Sequence, residues 1–99
     1  MANQKTHVSD LDPHRPRTEP ASLIYDAILA ASTDRNDPHW VHRMRLSVFH
    51  VAREYAQQHG MLHPTLDEVG NAESMALGHV DYASKWALYV AHKVNPRKA

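Results

Sequence analysis

The amino-acid sequence predicts an all-α fold, an antiparallel helical hairpin with a short N-terminal helix, which is expected to be homo-oligomeric. Three stretches carry apolar residues at steps of three and four, the period of an amphipathic helix. Clusters of polar residues and proline separate these stretches, and no stretch alternates apolar and polar residues over a useful strand length. The 99 residues include no cysteine, which excludes a disulfide scaffold, a thiolate nucleophile and a cysteine zinc site.

The first 19 residues differ in composition from the rest of the chain. They contain two prolines, and their large apolar side chains are Val8 and Leu11. This is too little apolar surface to offset the entropy lost on ordering, so we predict a flexible N-terminal tail over 1–19. The hairpin domain is then expected over 20–95, followed by a basic C-terminal tail over 96–99.

The first two helices are predicted from apolar spacing and from their end signals. Helix one follows Pro20, and helix two follows Asp37, an N-cap residue that precedes Pro38 at the first helical position. Gly60 offers a C-cap for helix two. The apolar positions are Leu23, Ile24, Ala27, Ile28 and Ala31 in helix one and Trp40, Met44, Val48, Val51 and Tyr55 in helix two.

The third helix is predicted to be the longest. Thr65 and Glu68 have the spacing of a capping box, and Asn95-Pro96 ends the apolar run. Gly70 and Asn71 are candidate helix breakers near its start. The short connection to helix two requires the two helices to lie antiparallel.

A second, bulkier apolar stripe runs along the same helix, formed by Met75, Tyr82, Trp86 and Tyr89. A helix that is apolar on two sides needs two partners. We expect this stripe to pack against helix one or another subunit; the alternative is an aromatic platform for a ligand.

The charge of the chain is zero overall but unevenly distributed. Residues 38–59 carry a net charge of +2, residues 60–84 carry −4, and residues from 85 onward carry +4. In an antiparallel hairpin the start of helix two lies beside the end of helix three. The pattern therefore predicts a basic end, where arginine side chains and a helix N-terminus could bind phosphate; the alternative is a solvated basic face.

The sequence lacks the motifs that are typical of several classes of protein. No apolar run is long enough to span a membrane and the N-terminus lacks signal-peptide order, so we expect a cytoplasmic protein. Duplex nucleic acid is disfavoured as a partner because the chain is neutral. His39 with His42, and His59 with His63, have no clear third ligand, so no metal site or cofactor is predicted. No nucleophile motif is present, and we expect no enzymatic activity.

Part of the last predicted helix is similar to a family of short phage proteins. Ser74, Met75, Ala76 and Leu77, followed by Asp81 and the pair Trp86-Ala87, resemble the helical-hairpin domain of phage anti-CBASS and anti-Thoeris proteins. Pro38 and Arg45 fit the preceding helix, and the resemblance covers roughly residues 37 to 93. Where the family has Arg-Glu at the helix start, this chain has Asn71-Ala72.

The resemblance implies a non-enzymatic sponge in the bacterial host cytoplasm. Such a protein binds and sequesters the cyclic nucleotide signals of host defence, here a cyclic di- or trinucleotide or a cyclic ADP-ribose type ligand, in pockets between subunits. We predict that phosphate is bound by Arg43, Arg45 and Lys93, with Lys85 as a weaker candidate, and that bases stack on Tyr25, Trp40 and Tyr89. The alternative is a small protein-interaction module, such as a phage inhibitor or adaptor of a host protein, and a small nucleic-acid binder is a weaker one.

Overall fold

A computed structural model describes residues 13–33 and 36–96 and is mostly helical, which confirms the all-α prediction. Its helices are α1 (Ala21–Ala31), α2 (Trp40–Gln58), α3 (Leu66–Ala76) and α4 (Tyr82–Ala91). Two strands of two residues each, β1 (Met61–Leu62) and β2 (Asn95–Pro96), form an antiparallel pair. Each helix packs mainly against two others, α1 and α3 both lying between α2 and α4.

Local signals place the first two helices well. The structure confirms a helix after Pro20, while α2 begins at Trp40 rather than at Pro38. The reason is that Asp37 caps the turn ahead of the helix, its Oδ1 accepting a hydrogen bond from the His39 amide at 2.8 Å. Gly60 follows α2 with a φ of 64°, the left-handed conformation expected of a glycine after a helix end.

The predicted longest helix is wrong, because it is two helices separated by a turn. The capping box is confirmed: the Thr65 side chain accepts from the Glu68 amide, and the Glu68 carboxylate accepts from the Thr65 amide. The helix then continues through Gly70 and Asn71 and ends at Ala76. Gly78, with a φ of 90°, makes the turn that reverses the chain into α4.

The core is built around Trp86, which is fully buried on α4. Its indole Nε1 donates a hydrogen bond to the Val69 carbonyl of α3 at 3.1 Å, so the polar edge of the ring is satisfied. Alanines let α2 approach closely, since Ala52 and Ala56 have no exposed surface. The predicted bulky stripe is divided between two helices. Trp86 is buried on α4, whereas Met75 lies on α3, before the turn at Gly78, and is 60% exposed.

The predicted flexible tail needs a correction at its C-terminal part. Pro16 is buried, and Arg15 forms an ion pair with Asp26 of α1 that includes a 3.0 Å hydrogen bond from Nη2 to Oδ2. An apolar ring and an ion pair therefore fix this part of the chain against α1. Residues 1–12 lie outside the described residues, and so do Arg97, Lys98 and Ala99 of the predicted basic tail. The boundary at 95 falls inside β2, where Pro96 pairs with Met61.

Opposite effects are expected from adding a methyl group at two glycines. Gly70→Ala should stabilise the fold by about 0.5 to 1 kcal/mol, because alanine favours a helix interior and the new Cβ meets nothing within 4 Å. Gly78→Ala should destabilise it by roughly 1 kcal/mol or more, because an L side chain is strained at positive φ. Urea denaturation of both variants measures the difference. Equal destabilisation by the two changes would contradict the assignment of the break to Gly78.

Candidate ligand groove

An open groove of about 530 Å³ runs between α2 and α3. Its volume lies in the range of small-molecule sites. The lining consists of two residues of α2 and five of α3: His42, Arg45, Leu66, Asp67, Gly70, Asn71 and Ser74.

The helical period explains why α3 presents this face. Residues 66, 67, 70, 71 and 74 recur at one and three residue steps, so they share one side of the helix. The opposite side is the buried one, with Val69, Ala72 and Ala76 in the core. Gly70 sits in the middle of the groove face and has no side chain, which deepens the groove at that point.

Three side chains in the groove offer hydrogen bonds to a ligand. Among the described residues, the structure gives no hydrogen-bond partner to the side chains of His42, Asp67 or Asn71. The Ser74 hydroxyl donates back to the Gly70 carbonyl at 3.3 Å. The groove is therefore a polar site with unused donors and acceptors.

These groups are segregated along the groove. Arg45 contacts Glu73, beside Ser74 in the last turns of α3, whereas Asp67 lies in the first turn. Seven residues separate Asp67 from Ser74, which is roughly 10 Å at the helical rise. One end thus carries a guanidinium and the other carries a carboxylate, with the Asn71 amide between them.

A buried carboxylate positions the arginine. Glu73 is 5% exposed; its Oε1 accepts from Arg45 Nε of α2, and its Oε2 accepts from the Tyr82 hydroxyl of α4 at 2.7 Å. Burial raises the pKa of Tyr82 well above its usual value, and the hydrogen bond and negative charge of Glu73 raise it further, while Arg45 opposes them. Glu73, Arg45 and Tyr82 therefore join three helices at the wall of the groove.

The described members of the predicted basic end, Arg43, Arg45 and Lys93, do not form one cluster; Arg97 and Lys98 lie outside the described residues. Arg43 pairs with Asp37 at 3.0 Å, Arg45 pairs with Glu73, and Lys93 approaches Glu68 at 3.9 Å. The pairing of β1 with β2 holds Asn95 and Pro96 beside the C-terminal end of α2, roughly 20 Å along that helix from Arg45. The turn at Gly78 causes this: α4 returns toward the end of α2, where one long helix would have reached its start.

The other predicted ligand residues do not line the groove. Tyr25 is 4% exposed in the core, where its ring has no free face for a base, so its predicted stacking role is wrong for this chain alone. Trp40, Tyr89 and Lys85 are half-buried, on α2 and α4. Arg45 is the one predicted ligand residue that the structure places in the groove.

The sequence reasoning missed the roles of His42, Asp67, Asn71 and Ser74. It considered Gly70 and Asn71 only as helix breakers. The signal that could have found them is the repeat of small or polar residues at 67, 70, 71 and 74 on a helix whose other face is apolar.

Two further properties of the described residues bear on function. Nowhere in 13–33 and 36–96 do three histidine, aspartate or glutamate side chains come together as metal ligands could. No helix in the same ranges has both the length and the apolar character that crossing a bilayer demands.

Comparisons with known proteins identify no relative. No protein-family model matches the chain, and no curated protein or solved structure is similar to it. The resemblance to the phage family therefore stays a prediction.

Alkaline pH should destabilise the fold through Tyr82. Because its pKa is raised in the folded state, its contribution is fully present below about pH 10, the ordinary value for tyrosine. Above that pH the unfolded chain releases the proton first, so the free energy of unfolding falls as pH rises. Denaturation curves between pH 8 and 11.5 should fall less steeply for Tyr82→Phe than for the parent chain. If the free energy of unfolding falls equally steeply with pH in both proteins, Tyr82 does not contribute to the loss of stability at alkaline pH.

Proposed function

We propose that this chain is a non-enzymatic protein that binds a cyclic nucleotide in the groove between α2 and α3. The proposed ligand is a cyclic di- or trinucleotide or a cyclic ADP-ribose type molecule. The proposed role is to sequester such immune signals of the bacterial host, of CBASS or Thoeris type, in the host cytoplasm. The supporting observation is the order of groups along the groove, with a guanidinium at one end, a carboxylate at the other and an amide between them.

The distances suit a nucleotide. At one end, Arg45 keeps its terminal Nη donors beyond the Nε bond to Glu73, and His42 adds a ring nitrogen, so both can bind phosphate oxygens. Toward the other end, Asp67, together with Asn71 one turn further along α3, can pair with the edge of a base. The apolar Leu66, 38% exposed, offers a surface to its ring. The separation of roughly 10 Å along α3 is about the length of a nucleoside monophosphate.

The departure from the family pattern supports the same site. The resembled family has an arginine where this chain has Asn71, and Asn71 lines the groove. Arg45 brings a guanidinium into the same groove from α2. We infer that the phosphate contact implied for the family arginine is made here by Arg45.

The groove supports binding rather than nucleophilic chemistry. Its lining holds one hydroxyl, that of Ser74, which donates its hydrogen bond to the Gly70 carbonyl and not to a base. A serine nucleophile needs a general base within hydrogen-bond reach.

Filling the groove should abolish binding without unfolding the protein. Thermal-shift and calorimetric titrations with cyclic di- and trinucleotides and cyclic ADP-ribose isomers should identify a ligand that raises the melting temperature of the parent chain. Gly70→Leu should lose that ligand while unfolding at or above the parent temperature, because glycine disfavours the helix interior and the position is open. Gln57→Leu, on an exposed position of α2 outside the groove, is the matched control. If Gly70→Leu binds the ligand as tightly as the parent chain does, the groove is not the binding site.

The two neighbouring arginines should respond unequally to the same substitution. Arg45→Lys should weaken ligand binding by roughly 1.5 to 3 kcal/mol, because lysine lacks the fork that bonds Glu73 and phosphate together. Arg43→Lys should change affinity little, since Arg43 pairs with Asp37 and does not line the groove. Calorimetry on both variants, with circular dichroism to verify folding, measures the difference. A larger loss with Arg43→Lys would move the site away from the groove.

A second observation favours a protein contact. The last turn of α3 exposes Met75 by 60%, and the connection from α3 to α4 exposes Leu77 by 61% and Val80 by 95%. Contiguous exposed apolar side chains are typical of protein interfaces. We propose that two copies of the chain associate through this connection, which is the homo-oligomer predicted from the sequence.

Light scattering over a range of protein concentrations tests that association. The parent chain should form an oligomer, and the double variant Leu77→Ser and Val80→Ser should shift it toward monomer with little change in melting temperature, because both side chains are exposed. A parent chain that is monomeric at every concentration would exclude association of two copies. It would favour the alternative function, an interaction module that binds a different protein.

A further inference from the structure

Asp67 and Asn71 form a pair of hydrogen-bonding groups on the face of α3 that lines the groove. They lie four residues apart on α3, so their Cβ atoms are about 6 Å apart on one face. Both line the groove, and neither side chain has a hydrogen-bond partner among the described residues. A ligand that lies along this face meets a carboxylate and an amide together.

The chemistry of the pair fits one base better than the others. A carboxylate accepts hydrogen bonds at two oxygens, and an amide nitrogen donates. The Watson-Crick edge of guanine presents two adjacent donors, N1-H and the N2 amino group, next to the O6 acceptor. Adenine presents one amino donor beside the N1 acceptor, which leaves the second carboxylate oxygen unpaired. Cytosine has acceptors at N3 and O2, where guanine has its two donors. Uracil keeps a donor at N3-H but has an acceptor at O2, so it also leaves one carboxylate oxygen unpaired.

We infer that the groove selects a guanine base, with Asp67 accepting from N1-H and N2-H and the Asn71 amide donating to O6. This inference rests on the proposed function, because it assumes that a nucleotide occupies the groove. Unstacked bases are read through their Watson-Crick edges in this way in single-strand recognition. Asp67 and Asn71 are both exposed, so water competes with the base, and the selectivity depends on one acceptor and one donor being held side by side.

Calorimetry with cyclic di-GMP and cyclic di-AMP tests the selection. The parent chain should bind cyclic di-GMP at least tenfold more tightly than cyclic di-AMP. Asp67→Asn should reduce affinity for cyclic di-GMP at least tenfold and leave cyclic di-AMP within threefold of the parent value. Glu54→Gln, which removes an exposed carboxylate of α2 outside the groove, should leave both affinities unchanged.

The outcomes separate this inference from the function on which it rests. Equal binding of the two ligands, or a guanine preference that survives Asp67→Asn, would overturn the guanine assignment and leave nucleotide binding in place. Failure of both ligands and of every other cyclic nucleotide to bind would overturn the proposed function itself. Circular dichroism of Asp67→Asn verifies that any loss comes from the site.

Discussion

The carboxylate of Glu73 is the constraint on which the arrangement of three helices depends. A buried carboxylate is costly unless hydrogen bonds and an opposite charge compensate it. Glu73 obtains both, from Arg45 of α2 and from the Tyr82 hydroxyl of α4. Because α3 carries the carboxylate, any movement of α2 or α4 away from α3 would leave it unpaired. The same ion pair holds Arg45 at the wall of the groove, so the candidate site takes its shape from a structural contact.

The sequence could predict where helices begin, but it could not predict the direction that the chain takes after α3. Caps and apolar spacing are local, and they predicted α1, the main part of α2 and the Thr65 capping box. The choice between Gly70 and Gly78 as the break is not local, since both are single glycines in a helical pattern. Burial of Val69, Ala72 and Ala76 keeps the helix intact past Gly70, and such packing is invisible to periodicity. The error then propagated, because the predicted basic end assumed that the last helix returns to the start of α2.

The candidate site was predictable only in part for a related reason. Arg45 was found because an arginine in the early turns of a helix has an evident use. The presence of Asp67 in the first turn of α3 is explained by the helix dipole alone, so the sequence provided no reason to expect a second role in ligand binding. Tyr25 shows the converse, since its apolar spacing suits a core position and a stacking position equally. Which surface of a helix lines a groove depends on its neighbours, and α3 gained its neighbour α2 through the tertiary fold.

The electrostatics of the groove restrict how a ligand can be held there. Glu73 offsets the charge of Arg45, and Asp67 adds a negative charge at the opposite end, so the lining offers no strong positive field. Long-range attraction of polyanions, which dominates nucleic-acid binding and weakens steeply with salt, is therefore a poor fit to this site. For the proposed ligand, affinity has to come from short, directed hydrogen bonds made by His42, Arg45, Asp67 and Asn71. A small ligand with a phosphate at one end and a base edge at the other satisfies that requirement, because each of its groups meets a partner of opposite hydrogen-bonding character.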